Sequence, residues 1–142
     1  MSGRNARRGR RPLHLMRTAA VLVLLDTLAQ AALAGLFVTG DLDLLTWHSA
    51  NADALAALTL TQAAAALLVR WRQGGPLWPV GASVLLTVLV GAQQALGQAR
   101  ILAGHLPLGM AIFGLATALT YWTWTFTPTA ADARMATVEV TE

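Results

Sequence analysis

Cysteine and lysine are both missing from this sequence, and charged residues of either sign are scarce. Without cysteine, the chain has no disulfide, thiolate metal site, iron–sulfur cluster or covalent c-type haem attachment. Charged residues make up 12% of the 142 residues, which is about half their share in soluble domains. Apolar residues make up 56%. A chain of one-domain length cannot bury so much apolar surface, so lipid is its expected solvent.

Four long apolar runs occupy residues 18–38, 48–70, 77–97 and 105–126. Each is close to the ~20 residues that a helix needs to cross a ~30 Å hydrocarbon core. The runs are rich in alanine and leucine and lack alternation of apolar and polar residues, so strands are not expected. Short connections make neighbouring helices antiparallel. The sequence therefore predicts an all-α fold, an integral membrane four-helix up-down bundle at residues 18–126.

The arginines predict how the bundle is oriented. Six precede the first apolar run, and Arg70 and Arg72 lie between the second and third. The loop between the first and second runs has none, and Arg100 is alone between the third and fourth. Basic loops stay in the cytoplasm, so residues 1–17 are predicted to be a basic cytoplasmic tail of a plasma-membrane protein. Residues 127–142 are predicted to be a disordered cytoplasmic tail. The pI of about 11.1 thus reflects topology, and nucleic-acid binding is not expected.

A secretory signal peptide is the alternative interpretation of the N-terminal segment. Its basic start, apolar middle and the Ala32-Leu33-Ala34 triplet before Gly35 fit a cleavage site. The apolar stretch is long for a signal peptide, and Asp26 interrupts it. A retained first membrane helix is therefore the favoured interpretation.

Two histidines occupy matching positions in the second and fourth predicted helices. His48 lies 22 residues before Arg70, and His105 lies 21 residues before Phe126. At 1.5 Å per residue, both lie roughly 32 Å above the cytoplasmic ends of two helices that are diagonal in such a bundle. Neutral imidazole is a good nitrogen donor, so His48 and His105 are predicted to be the two axial ligands of one haem iron near the outer face.

Other residues at the same level fit a haem. Gly109, one turn below His105, would remove a side chain from the porphyrin face, and Arg100 would pair with a haem propionate. Small residues on the flanking helices would leave room for the macrocycle: Ala31, Ala32, Ala34, Gly35, Gly91, Ala92 and Ala95. The alternative remains that small residues simply pack membrane helices, and that interfacial histidines and arginines contact lipid headgroups.

Asp26 lies about midway through the first helix, with Gln30 one turn later. Ionisable residues at this depth are costly and tend to mark a site. The favoured interpretation is a protonated or hydrogen-bonded Asp26 that joins helices, with Gln62, Gln93 or Gln94 as its partner. A transporter-like dimer that uses Asp26 is the other hypothesis.

These features resemble one four-helix half of the haem A synthase family. The resemblance rests on His48 opening helix two, on Gln94-Ala95-Leu96-Gly97 late in helix three, and on His105 opening helix four. The chain is also similar to small, uncharacterised four-helix membrane proteins of actinobacteria. The resemblance implies that His48 and His105 are axial haem ligands. The synthases carry a glutamate three residues before the helix-two histidine, where this chain has Leu45. The second half and the cysteine pair of many bacterial members are missing too, so synthase activity is not expected.

The sequence as a whole predicts a membrane protein that binds haem b and serves in electron transfer or haem handling. With both axial positions filled by protein, oxygen or substrate does not reach the iron easily. The predicted partners are the lipid bilayer and a redox partner or larger membrane complex, and two copies of the chain would imitate the tandem family. The alternative is a cofactor-free accessory or structural subunit of a membrane complex.

The arginine distribution generates a topology prediction. Reporter fusions after Arg72 and after Phe126 are expected to report a cytoplasmic location, and fusions after Asp43 and after Gln98 an external one. An external fusion after Phe126 would contradict this topology and with it the matched depth of the two histidines.

Overall fold

The computed structural model describes residues 2–127, with side chains described from Pro12 onward. This part of the chain contains four helices and no strand: α1 (Ser2–Val38), α2 (Leu44–Gln73), α3 (Trp78–Gln98) and α4 (Leu102–Thr125). The predicted all-α four-helix fold is confirmed. The predicted tail at residues 127–142 lies outside the described residues, except for Thr127.

The helices extend beyond the apolar runs that predicted them. α1 continues from Ser2 through Pro12, so the segment predicted as a basic tail is helical from its second residue. Arginine and alanine are good helix formers, and backbone hydrogen bonding does not stop where a run becomes polar. α2 begins at Leu44 and α4 at Leu102. His48 and His105 therefore lie one turn inside their helices, where the ring positions are tied to a regular backbone.

Each helix packs against its two neighbours in an up-down bundle. α1 contacts α2 and α4, and α3 contacts α2 and α4, whereas the diagonal pairs α1/α3 and α2/α4 make no extended contact. A central apolar cluster contains residues of all four helices: Val23, Leu55, Leu86, Val90, Ile112, Ala116 and Leu119. A second cluster near the N-terminal end of α1 contains Leu13, Met16, Ala65, Ala66 and Val69. Neither apolar cluster extends to the end of the bundle where α2 and α4 begin, and polar side chains pack there instead.

Polar and aromatic contacts tie α4 to α1 and α3 at the end where α1 begins. Arg17 Nε donates to the backbone oxygen of Thr123 at 2.7 Å, and its terminal nitrogen donates to that of Phe126 at 3.3 Å. These are carbonyls of the last turn of α4, which have no partner within the helix. Trp122 stacks on Phe126 and meets the ring of Trp78 edge-on. The backbone oxygens at the C-terminal end of α4 therefore accept hydrogen bonds from a cation, and aromatic rings pack around this end.

All four helices are long and apolar enough to cross a membrane, as Pro12–Val38, Leu44–Gln73, Trp78–Gln98 and Leu102–Thr125. Large apolar side chains lie on the outside of the bundle, such as Leu25 at 56% exposure, Val88 at 61% and Met110 at 77%. A surface of this kind is stable against hydrocarbon rather than water. The chain is a multi-pass membrane protein whose outer surface contacts lipid.

The link between α3 and α4 is a tight helix-ending turn. The amide of Ile101 donates to the backbone oxygen of Leu96 at 2.9 Å, and the amide of Arg100 donates to that of Gly97 at 3.0 Å. This is the Schellman pattern, which needs a left-handed residue and usually takes glycine there. Arg100 occupies that position with φ of 58°. The turn sets the register of α4 against α3, and it holds an arginine in a conformation that favours glycine.

Arg100→Gly is expected to raise the free energy of unfolding by about 1 kcal/mol, because a side chain in the left-handed region costs roughly 1–2 kcal/mol. Reversible unfolding in detergent measures the change. Ala99→Gly is the matched control, since Ala99 has an ordinary φ of −75° and glycine there should destabilise. Equal destabilisation by both substitutions would contradict a strained Arg100.

Candidate functional site

His48 of α2 and His105 of α4 meet across the diagonal of the bundle. Their ring centroids are 6.3 Å apart and the ring planes are inclined by 56°. Both residues are half-buried. The prediction that the two histidines lie at one level on diagonal helices is confirmed by this distance, even though α2 and α4 make no extended backbone contact.

His105 is held against α3. Its Nδ1 lies 3.0 Å from the backbone oxygen of Gln93. A carbonyl oxygen only accepts, so Nδ1 carries the proton and Nε2 presents a lone pair. Gly97 makes room for the ring: a Cβ added there would lie 3.1 Å from Cε1 and 3.3 Å from Nδ1 of His105. The glycine late in α3 therefore allows the imidazole to lie close to the α3 backbone.

His48 is held against α1, and Gln30 supplies all of its ring contacts to that helix. The Nδ1 of His48 lies 3.2 Å from the backbone oxygen of Gln30, so this nitrogen also carries the proton. The side-chain amide nitrogen of Gln30 lies 3.2 Å from His48 Nε2 and donates to the His48 backbone oxygen at 3.0 Å. Both ring nitrogens of His48 thus have partners on one residue.

A line of hydrogen bonds continues from Gln30 towards the middle of the bundle. Asn51 Nδ2 donates to the side-chain oxygen of Gln30 at 2.8 Å and to Asp26 Oδ2 at 3.3 Å. The prediction of Gln62, Gln93 or Gln94 as the partner of Asp26 is wrong. Asn51 takes that role because it lies one turn after His48 on the face of α2 that packs on α1. The contact supports the hypothesis that Asp26 joins helices.

The remaining predicted site residues are placed differently from the histidines. The space left by Gly109 adjoins Gln93, whose amide nitrogen would lie 3.0 Å from a Cβ added there. Arg100 is exposed in the α3–α4 turn. Of the small residues predicted to leave room for a macrocycle, Ala34 is half-buried and six are exposed: Ala31, Ala32, Gly35, Gly91, Ala92 and Ala95. A Cβ added at Gly35 or Gly91 would meet nothing within 4 Å, and room for a macrocycle beside these residues stays a prediction.

The site's donor set is small. In the part of the chain that the structure describes, no group of three or more histidine, aspartate, glutamate or cysteine side chains is placed to hold a metal ion. The histidine pair instead offers two imidazoles, each placed to donate from Nδ1 to a backbone carbonyl. Such a pair can supply two nitrogen ligands to one metal centre whose other ligands come from elsewhere.

Comparison with protein-family models, with curated proteins and with solved structures found no match for this chain. Within the chain itself, Gly97 and the backbone of Gln93 both lie against the ring of His105.

Gly97→Ala is expected to displace the His105 ring, because the new methyl group would crowd Cε1 and Nδ1 of the imidazole. Nitrogen NMR of the histidine rings should show a changed His105 signal. Gly91→Ala is the matched control on the same helix, since a Cβ there meets nothing within 4 Å. Both changes favour the helix by roughly 0.5–1 kcal/mol, so stability alone does not separate them. A His105 signal that responds equally to both changes would contradict the contact.

Proposed function

We propose that this chain is a membrane b-type haem protein in which His48 and His105 are the two axial ligands. The spacing of the rings carries the proposal. Metal–imidazole bonds of about 2.0 Å, with each nitrogen about 1.2 Å from its ring centroid, separate the centroids of two opposed imidazoles by about 6.4 Å. The centroids of His48 and His105 are 6.3 Å apart.

The hydrogen bonds at the two Nδ1 atoms support the same function. Histidines that bind metals donate their other ring nitrogen to a carbonyl or carboxylate, which fixes the tautomer and the ring orientation. His48 has such a contact with the backbone of Gln30, and His105 has one with the backbone of Gln93. The two ligands are thus held by different neighbouring helices and both have Nε2 as the donor atom.

The number of ligands favours haem over a bare metal ion. Zinc and similar ions in proteins take three or four protein ligands, and the described residues offer no such group. Haem brings four nitrogen ligands of its own and needs from the protein only one or two axial donors. Two facing imidazoles without a third donor are therefore matched to haem.

A haem held by His48 and His105 would supply one-electron transfer. Arg100 supports binding, because an exposed cation beside the α4 helix start can pair with a propionate. Its backbone is left-handed, with φ of 58°, a conformation in which glycine would be more stable. By the distribution of arginines, both termini lie in the cytoplasm and the site lies near the outer face of the plasma membrane. A redox partner or a second copy of the chain would bind there.

A cofactor-free accessory subunit is the second candidate function, and one observation favours it. Both ring nitrogens of His48 already have hydrogen-bond partners within the protein. A histidine satisfied in this way needs no cofactor, and in such a subunit its role would be to join α1 and α2.

His48→Ala and His105→Ala decide between the two functions. In haem-replete cells the parent is expected to purify with the sharp absorption bands of a low-spin, six-coordinate b-type haem. Each substitution opens one axial position, so each should shift the iron to high spin or lose the cofactor. The two variants should behave alike because they remove opposite ends of one axis.

His14→Ala is the control, since His14 lies near the other end of α1 and should leave the spectrum unchanged. A colourless parent, with His48→Ala and His105→Ala as stable as the parent, would falsify the haem proposal. The cofactor-free accessory subunit would then be the better account.

A further inference from the structure

Gln30 contacts the one atom of His48 that a metal would need. The amide nitrogen of Gln30 lies 3.2 Å from His48 Nε2 and donates to the His48 backbone oxygen at 3.0 Å. The opposite ring nitrogen, Nδ1, faces the backbone oxygen of Gln30 at 3.2 Å. Because that oxygen can only accept, the proton is on Nδ1, and the lone pair of Nε2 accepts from the Gln30 amide.

The neighbours of Gln30 determine which end of its amide faces His48. The side-chain oxygen of Gln30 accepts a hydrogen bond from Asn51 at 2.8 Å, so the amide nitrogen is the end directed at the imidazole. Asn51 is oriented in turn by Asp26, to whose Oδ2 it donates at 3.3 Å. The donor in front of His48 Nε2 is therefore held by a chain of oriented groups.

The two histidines differ in this respect. His105 bonds through Nδ1 to the backbone of Gln93 at 3.0 Å, and its Nε2 has no hydrogen-bond partner among the described residues. His48 has the same kind of contact at Nδ1 but carries an amide at Nε2. One ligand of the pair is open, and the other is occupied by the protein itself.

We propose that Gln30 is a positioning residue that competes for His48, its amide occupying the ligand position of Nε2 until a metal centre displaces it. This inference rests on the proposed haem function. The backbone oxygen of Gln30 keeps the tautomer and orientation of the ring, and the side chain sets how readily the ring accepts a ligand. The Nε2 of His105 is then open to a metal centre from the start, and that of His48 opens when the Gln30 amide is displaced.

Gln30→Met separates the two contacts of this residue. Methionine keeps the length of the side chain and removes the donor, while the backbone oxygen that holds Nδ1 remains. The affinity for hemin, titrated into purified cofactor-free protein in detergent, is expected to rise roughly twofold to tenfold, the effect of removing one net competing hydrogen bond. In the same cofactor-free protein, the nitrogen NMR signal of His48 Nε2 should move towards that of a free lone pair, and the His105 signal should not.

Gln94→Met is the matched control. Gln94 bonds the backbone oxygen of Ala52 at 2.7 Å and so joins α3 to α2 without contacting either histidine ring. It should change neither the hemin affinity nor the His48 signal. A parent that binds hemin and a Gln30→Met variant that binds it no more tightly would overturn this inference and leave the haem function standing. A parent that fails to bind hemin would overturn both.

Discussion

The hydrogen bonds from the two imidazole Nδ1 atoms to backbone carbonyls are the constraint on which the histidine end of the bundle depends. One joins His48 of α2 to α1, and the other joins His105 of α4 to α3. A backbone carbonyl moves only with its helix, so each ring is fixed in orientation by the packing of a neighbouring pair. The two pairs then meet through the rings themselves, 6.3 Å apart across the diagonal.

The opposite end of the bundle is held by a different set of interactions, namely cation-to-carbonyl hydrogen bonds and aromatic packing. Arg17 caps the last carbonyls of α4, and Trp122 packs between Trp78 and Phe126. The apolar clusters fill the space between this end and the site. α4 is thus tied to α1 at one end and to α3 at the other. Such ties at both ends limit rotation of α4 about its axis, which is the motion that would separate the histidines.

The fold could be predicted from the sequence because a membrane-spanning helix needs a long, continuous apolar run, and the chain has four of them. The pairing of His48 with His105 followed from their nearly equal distances to the C-terminal ends of α2 and α4, and regular helices preserve such distances. Gly97 in the last turn of α3 and His105 in the first turn of α4 flank one short link, and a glycine in that place is a signal of close contact between the two helices. The exposure of the small residues could not be predicted, since alanine-rich helices have no apolar face that stands out from the others.

The contact of Gln30 with His48 could not be predicted from the sequence either. A glutamine one turn after Asp26 can face any neighbour, and its contact with His48 depends on the rotation of α1 against α2. The same rotation places Asn51, rather than a glutamine of α2 or α3, beside Asp26. Helix rotation is set by the summed packing of many small side chains, which no short motif records.

Pulsed electron paramagnetic resonance of the oxidised protein, with histidine nitrogens isotopically labelled, tests the central claim most directly. The account predicts couplings from two imidazole nitrogens on one low-spin iron, and the loss of one coupling in either His48→Ala or His105→Ala that retains haem. Two couplings that persist in both variants, or an iron coupled to no labelled nitrogen, would contradict it.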